Sequence, residues 1–172
     1  MEKKQNKQKR IGNKGFSLVE LIVVIAIMAV LVGILAPTLI GNIQKSKEAK
    51  DINSLDNVYT AVNTALADEK GNSVALSAAY KDKYVSLATI NTNSATATDT
   101  FAKLVMENTE NITSFSSDAA KNGEIYVKVT GAGKVSVVIA DKTTLAVLEA
   151  SKSKKAFSGG NAGDVAVGTA VN

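Results

Sequence analysis

The stretch from Gly15 to Pro37 reads GFSLVELIVVIAIMAVLVGILAP. From Phe16 to Ala36 it holds 21 residues and one charge, Glu20. Coiled as an α-helix, that run reaches about 31 Å, enough to cross the hydrocarbon core of a bilayer. A carboxylate inside such a span costs about 2.5–3.5 kcal/mol at mid-membrane and less one turn from the end, so its presence asks for a partner. The competing reading lets Glu20 reach back to the headgroups.

Toward the N-terminus the chain is basic. Lys3, Lys4, Lys7, Lys9, Arg10 and Lys14 stand against Glu2, a net of +5 for residues 1–15. The whole chain carries +4, so residues 16–172 carry −1. The pI of about 9.2 therefore belongs to a short arm. A broad electrostatic footprint for nucleic acid is absent, and that partner is at most secondary. Ahead of an apolar span the arm acts as a topology signal, cytoplasmic itself with the C-terminal bulk outside. A cleaved secretory signal fits less well. The apolar run exceeds the usual 7–15 residues, and Ile34-Leu35-Ala36 runs into Pro37 without a small-x-small site.

Toward the C-terminus the helical pattern continues past the span. Ile52, Leu55, Tyr59, Val62 and Leu66 recur at steps of three and four, which predicts an amphipathic helix with one packing stripe. Lys70 followed by Gly71 reads as its stop. Pro37, the sole proline, is flanked by Gly33 and Gly41 and marks the place for a bend or a local melting of the helix. Beyond it, Ser73 to about Lys83 reads as a short helix, and 86–100, rich in Ser, Thr, Asn and Ala, as a surface loop. Asp99 is placed to cap a helix through Phe101, Leu104 and Val105.

Two strands follow, one on Ile125, Val127 and Val129, the other on Val135, Val137 and Ile139, with a turn at Gly131-Ala132-Gly133. A third strand is expected at Thr143 to Leu148. The tail reads as a glycine-rich loop with a short strand at Val165 to Val167, and strand pairing is expected to pin it. Lys152, Lys154 and Lys155 read as a solvated loop. The predicted fold class is α+β: a long N-terminal helix, apolar then amphipathic, with a small antiparallel sheet packed on its stripe. Its parts are a basic leader (1–15), a membrane or filament-core helix (16–37), an amphipathic half (38–71) and an α/β head (72–172).

Composition excludes several functions. The chain has no cysteine and no histidine, which removes disulfides, thiolate metal sites and the usual general base. No phosphate loop or paired acidic motif is present, so an enzyme is not expected, nor a cofactor or metal.

At Gly15-Phe16-Ser17-Leu18-Val19-Glu20 the chain resembles the type IV pilins, whose precursors carry a basic leader ending in glycine, then phenylalanine, with glutamate fifth in the mature chain. The resemblance runs on to the proline at Pro37. Motif by motif it covers about residues 1–40 and is architectural beyond. The lack of cysteine and the few aromatics are most similar to major pilins of Gram-positive clostridia. The resemblance implies cleavage between Gly15 and Phe16 by a membrane-embedded aspartyl prepilin peptidase, N-methylation of Phe16, and assembly through Glu20 and the new amine of Phe16. It also implies a helical homo-oligomer leaving the membrane for the cell surface, served by an assembly ATPase with its platform and by minor pilins. The expected function is a pilus filament subunit for adhesion, motility or biofilm. The alternatives are a pseudopilin of a type II secretion or DNA-uptake system, or a membrane-tethered binding module that never polymerises.

Overall fold

The computed structural model describes residues 15–96, 98–150 and 156–159. The chain divides into two units, Met1–Gly41 and Asn42–Asn172. In the first, α1 begins at Leu18, and its helical turns run unbroken through Gly33, Pro37 and Gly41 on the way to Ala67. Of the bend or local melting expected around Pro37, the melting is absent. Proline removes one N–H from the ladder, and the neighbouring Leu, Ile and Ala residues carry the helix across the gap. An unbroken helix remains compatible with a bend there. The large apolar side chains from Phe16 to Ile40 stand exposed.

In the second unit α1 turns amphipathic. Leu55, Val58, Ala61, Val62 and Ala65 are fully buried. Of the stripe read from sequence, Leu55 and Val62 lie at its centre, while Ile52, Tyr59 and Leu66 pack along its flanks. The centre shifts toward small residues because the head approaches the helix backbone closely. At Gly159 an added Cβ would lie 2.6 Å from the carbonyl oxygen of Leu55.

The helix stops earlier than Lys70-Gly71. Asp68 adopts an extended conformation and its carboxylate accepts from the N–H groups of Lys70 and Gly71 at 3.0 and 2.9 Å. It thereby starts a new helix, α2 (Glu69–Ala75). Gly71 lies inside α2 and serves close packing, since a Cβ there would meet the Ala65 carbonyl oxygen at 2.2 Å. The short helix expected over 73–83 accordingly ends at Ala75, and the chain turns through to Lys83.

The expected loop at 86–100 is mostly helix. After a short strand β1 (Tyr84–Ser86), α3 spans Leu87–Ser94. The Ser86 hydroxyl accepts from the Thr89 N–H, and Leu87 and Ile90, one turn apart, are buried. Two apolar residues in a polar run are a weak periodic signal, and packing supplies the rest. Asp99 caps α4 (Thr100–Glu107) as read from sequence, accepting from Ala102 N–H at 2.9 Å.

Both strands read from the alternation form: β2 (Gly123–Val129) and β3 (Val135–Asp141), antiparallel with Val127 opposite Val137. The turn between them closes through Gly133, whose φ of +75° favours glycine. The expected third strand does not extend. Asp141 accepts from the N–H groups of Thr143 and Thr144, and Leu145 takes φ +58°, which breaks the run and leaves isolated bridging such as Val147 to Ala140. The strand beside β3 is instead β4 (Ser158–Gly159), giving the order β1-β2-β3-β4. Phe157, fully buried, exchanges backbone hydrogen bonds with Ile139 and Leu148, so strand pairing pins this part of the tail. The strand expected at Val165 to Val167 and the run Lys152, Lys154, Lys155 lie outside the described residues.

One face of the sheet packs Ile125, Val127, Val129, Val137 and Ile139 on the α1 stripe. The opposite face of β3 is covered too, where Val138, Ala140 and Val147 meet Tyr84, Tyr126, Leu145 and Ala156. The result is an α+β arrangement: a long N-terminal helix with a small four-stranded antiparallel sheet.

Candidate processing and assembly segment

Gly15, Phe16 and Ser17 precede the first turn of α1 and are not helical. Phe16 is 82% exposed, and the space around the Gly15 α-carbon is open. The Gly15–Phe16 bond therefore sits in accessible chain at the foot of a helix. Glu20, in the first turn, accepts the Ser17 N–H through Oε2 at 2.9 Å. Ser-x-x-Glu at a helix start is a capping-box pattern, and this contact is its glutamate half. It satisfies one of the four N–H groups a helix leaves open, and it sets a negative charge at the positive end of the dipole. The signal was legible in Ser17-Leu18-Val19-Glu20, but the reading of Glu20 as an assembly residue passed over it.

Gly33, Pro37 and Gly41 lie further along α1, where added Cβ atoms at either glycine would meet nothing. The fold does not bring them to the Gly15–Glu20 segment. Lys45 and Lys50 are exposed and Lys47 half-buried.

Two polar centres in the head were missed from sequence. Asp51 is buried on α1, and its two oxygens accept the N–H groups of Ser116 and Ser117, each at 2.8 Å. A carboxylate placed among helix residues reads as a solvated face, and no local pattern announces amides arriving from 65 residues away. Glu48, one turn earlier, is buried as well. The second centre joins Tyr80, Asn93 and Asp99. The Tyr80 hydroxyl donates to Asp99 Oδ2 and accepts from Asn93 Nδ2, and the ring meets Phe101 edge-on. Burial, then the hydrogen bond to Asp99, pushes the Tyr80 hydroxyl above its ordinary value of 10.0. Asp141 shifts the other way, its carboxyl held low chiefly by the backbone N–H of Thr144 and then of Thr143.

With this geometry in view, residues 10–36 match the family described as "Prokaryotic N-terminal methylation motif". The matched span takes in the last basic residues, the Gly15–Phe16 junction, Glu20 and the apolar run. The matched motif is like that of a type IV pilin prepilin leader, and it supports a pilin- or pseudopilin-like structural subunit over an enzyme. Such a motif implies processing by a prepilin peptidase and a pilin assembly machinery. The long apolar helix fits a single-pass membrane anchor. Neither the curated proteins nor the solved structures include a match to this chain.

Proposed function

We propose that the chain is the subunit of a type IV pilus filament, cleaved after Gly15, N-methylated on Phe16 and polymerised by packing of its N-terminal helices. The observation that carries this reading is the methylation motif at residues 10–36 continuing into a helix whose large apolar residues up to Ile40 nothing among the described residues covers. An all-round apolar surface of that size needs lipid or other copies as its solvent. In the bilayer it holds the subunit in reserve, and in the filament the same surface forms the core.

Cleavage creates an ammonium on Phe16 one turn from Glu20. In the assembly Glu20 neutralises the amine of a neighbouring Phe16, and this pairing sets the axial stagger. A misregistered copy leaves two unpaired charges in apolar surroundings, a penalty of about 3–5 kcal/mol. In this scheme residues 1–15 are the leader, 16–37 the membrane and filament-core helix, 38–71 the amphipathic half and 72–172 the head. Pro37, with Gly33 and Gly41, gives the helix a place to bend. The filament stands on the cell surface and serves adhesion, motility or biofilm. Kinship to clostridial major pilins rests on the absent cysteine and few aromatics.

N-terminal sequencing of material sheared from cells, with electron microscopy of the same sample, tests the proposal. A mature chain starting at Phe16 in thin fibres is the expected result. Full-length monomer confined to the membrane fraction would overturn it in favour of a tethered module.

A further inference from the structure

Where the apolar run of α1 ends, the charge on the surface differs from the charge of the sequence. Ile43, 47% exposed, is the last of the exposed large hydrophobics that begin at Phe16. Residues 42–51 read NIQKSKEAKD, three lysines against two acids, a net of +1. Both acids turn inward. Glu48 is 4% exposed and Asp51 2%, and the Asp51 oxygens are taken by the N–H groups of Ser116 and Ser117. Lys45 and Lys50 stay exposed and Lys47 half-buried, and none of the three makes an ion pair among the described residues. This part of α1 therefore shows its surroundings three positive charges and hides the negative ones.

The position of these lysines selects what they meet. At 1.5 Å per residue, Lys45, Lys47 and Lys50 lie about 3, 6 and 10 Å past Ile43 along the helix. The polar layer on each side of a hydrocarbon core is about 5–8 Å deep, and a lysine stem can lean toward it. With the apolar run in a bilayer, the ammonium groups fall at the depth of the lipid phosphates. At 100° per residue, Lys45 stands on one flank of the two buried acids and Lys47 and Lys50 on the other, so lipids on both sides of the helix meet positive charge. Three lysines on a helix are ordinarily a solvated face. Here they follow directly after a membrane-length span, on the side away from the basic arm, where positive charge opposes translocation and asks for a return.

We propose that Lys45, Lys47 and Lys50 form a collar that binds the phosphates of anionic lipids in the leaflet opposite the basic arm, fixing the depth at which the helix leaves the bilayer. This rests on the single-pass anchor and is independent of the filament. The attraction is electrostatic, adds over the three side chains, and weakens as salt screens it.

The absence of cysteine allows one probe to be placed at the collar. Ser46 is exposed between Lys45 and Lys47, so Ser46→Cys carries a thiol-linked fluorophore there. The labelled full chain is reconstituted into phosphatidylcholine vesicles containing a small share of one quencher lipid, either phosphatidylglycerol or phosphatidylcholine with the same nitroxide near its headgroup. At low salt the phosphatidylglycerol quencher is expected to act as if about fivefold enriched at the probe, and the excess to shrink in high salt. Lys45→Gln, Lys47→Gln and Lys50→Gln together are expected to abolish the excess, while the phosphatidylcholine quencher still acts, which shows that the variant is inserted. Residues 1–15 are unchanged in this comparison and carry no probe. Equal quenching by the two lipids in the parent, or an excess that survives the triple change, would overturn the inference and leave the anchor standing. Loss of the excess when phosphate replaces chloride at equal ionic strength would also overturn it, in favour of a site for a free anion. No quenching by either lipid would remove the anchor, and the collar with it.

Discussion

The two halves of α1 share a backbone and differ in what they leave for others. Up to Gly41 the helix presents large apolar side chains on every side, and none of its large hydrophobics is buried. From Asn42 on, one side carries Leu55, Val58, Val62 and the alanines into the core, and the other keeps Ser54, Asn57 and Thr60 toward the solvent. The comparison separates two uses of the same hydrophobic effect. In the second half its free energy is used within the chain and holds a head together. In the first half it remains available, and a bilayer or another copy would satisfy it.

The comparison is open to breaking by mutation. Glu20→Gln should have the largest effect, cutting filament yield about a hundredfold or more by removing the charge proposed to balance a buried amine. Fibre counts by electron microscopy give the readout, with head stability unchanged. Undiminished yield and unchanged subunit spacing would remove Glu20 from assembly. The next test pairs Leu55→Ala with Leu21→Ala. The first opens a cavity in the core and should destabilise the head by about 2–5 kcal/mol in urea titrations of the detergent-solubilised protein. The second should leave head stability unchanged and lower fibre yield instead. Equal effects on stability would erase the distinction between the halves.

A sharper test concerns the polar groups of the second half. Asp51→Ala strands the N–H groups of half-buried Ser116 and buried Ser117 and should destabilise the head by about 1–3 kcal/mol. Faster amide exchange at those two residues would show that the loss is local to that loop. The smallest effect expected is from Tyr80→Phe, about 1 kcal/mol, from the lost hydrogen bond to Asp99. Its pH dependence follows from the raised Tyr80 value. The contribution is complete below about pH 10 and fades as pH rises toward the folded-state value, because unfolding frees a proton that the native hydroxyl holds. Melting temperatures of the parent should thus fall more steeply above pH 10 than those of Tyr80→Phe.

Legibility followed the range of the forces involved. The alternation in 125–129 and 135–139 needs only neighbours to be read, and both strands stand where it placed them. The cap at Asp99 is equally local, and it holds. The end of α1 went astray because Asp68 competed with Gly71 as the stop signal. The deciding fact, an Ala65 carbonyl against Gly71, is a packing contact. The segment at 86–100 looked irregular because its helix depends on Leu87 and Ile90 finding the core. Thr143 to Leu148 failed as a strand because Asp141 gathered the N–H groups of the next residues into a turn.

Sequence by itself determined the membrane-length helix, the methylation motif that spans the Gly15–Phe16 bond, the isolated Glu20 and the central hairpin. Each depends on residue type and spacing within a few turns of chain. Only the tertiary structure decided that Asp51 lies in the interior, that Gly159 rests on the backbone of α1, and that Glu107 and Asn57 line one open trough. Those facts join residues some 50 to 100 positions apart, and distance along the chain carries no information about which of them will meet.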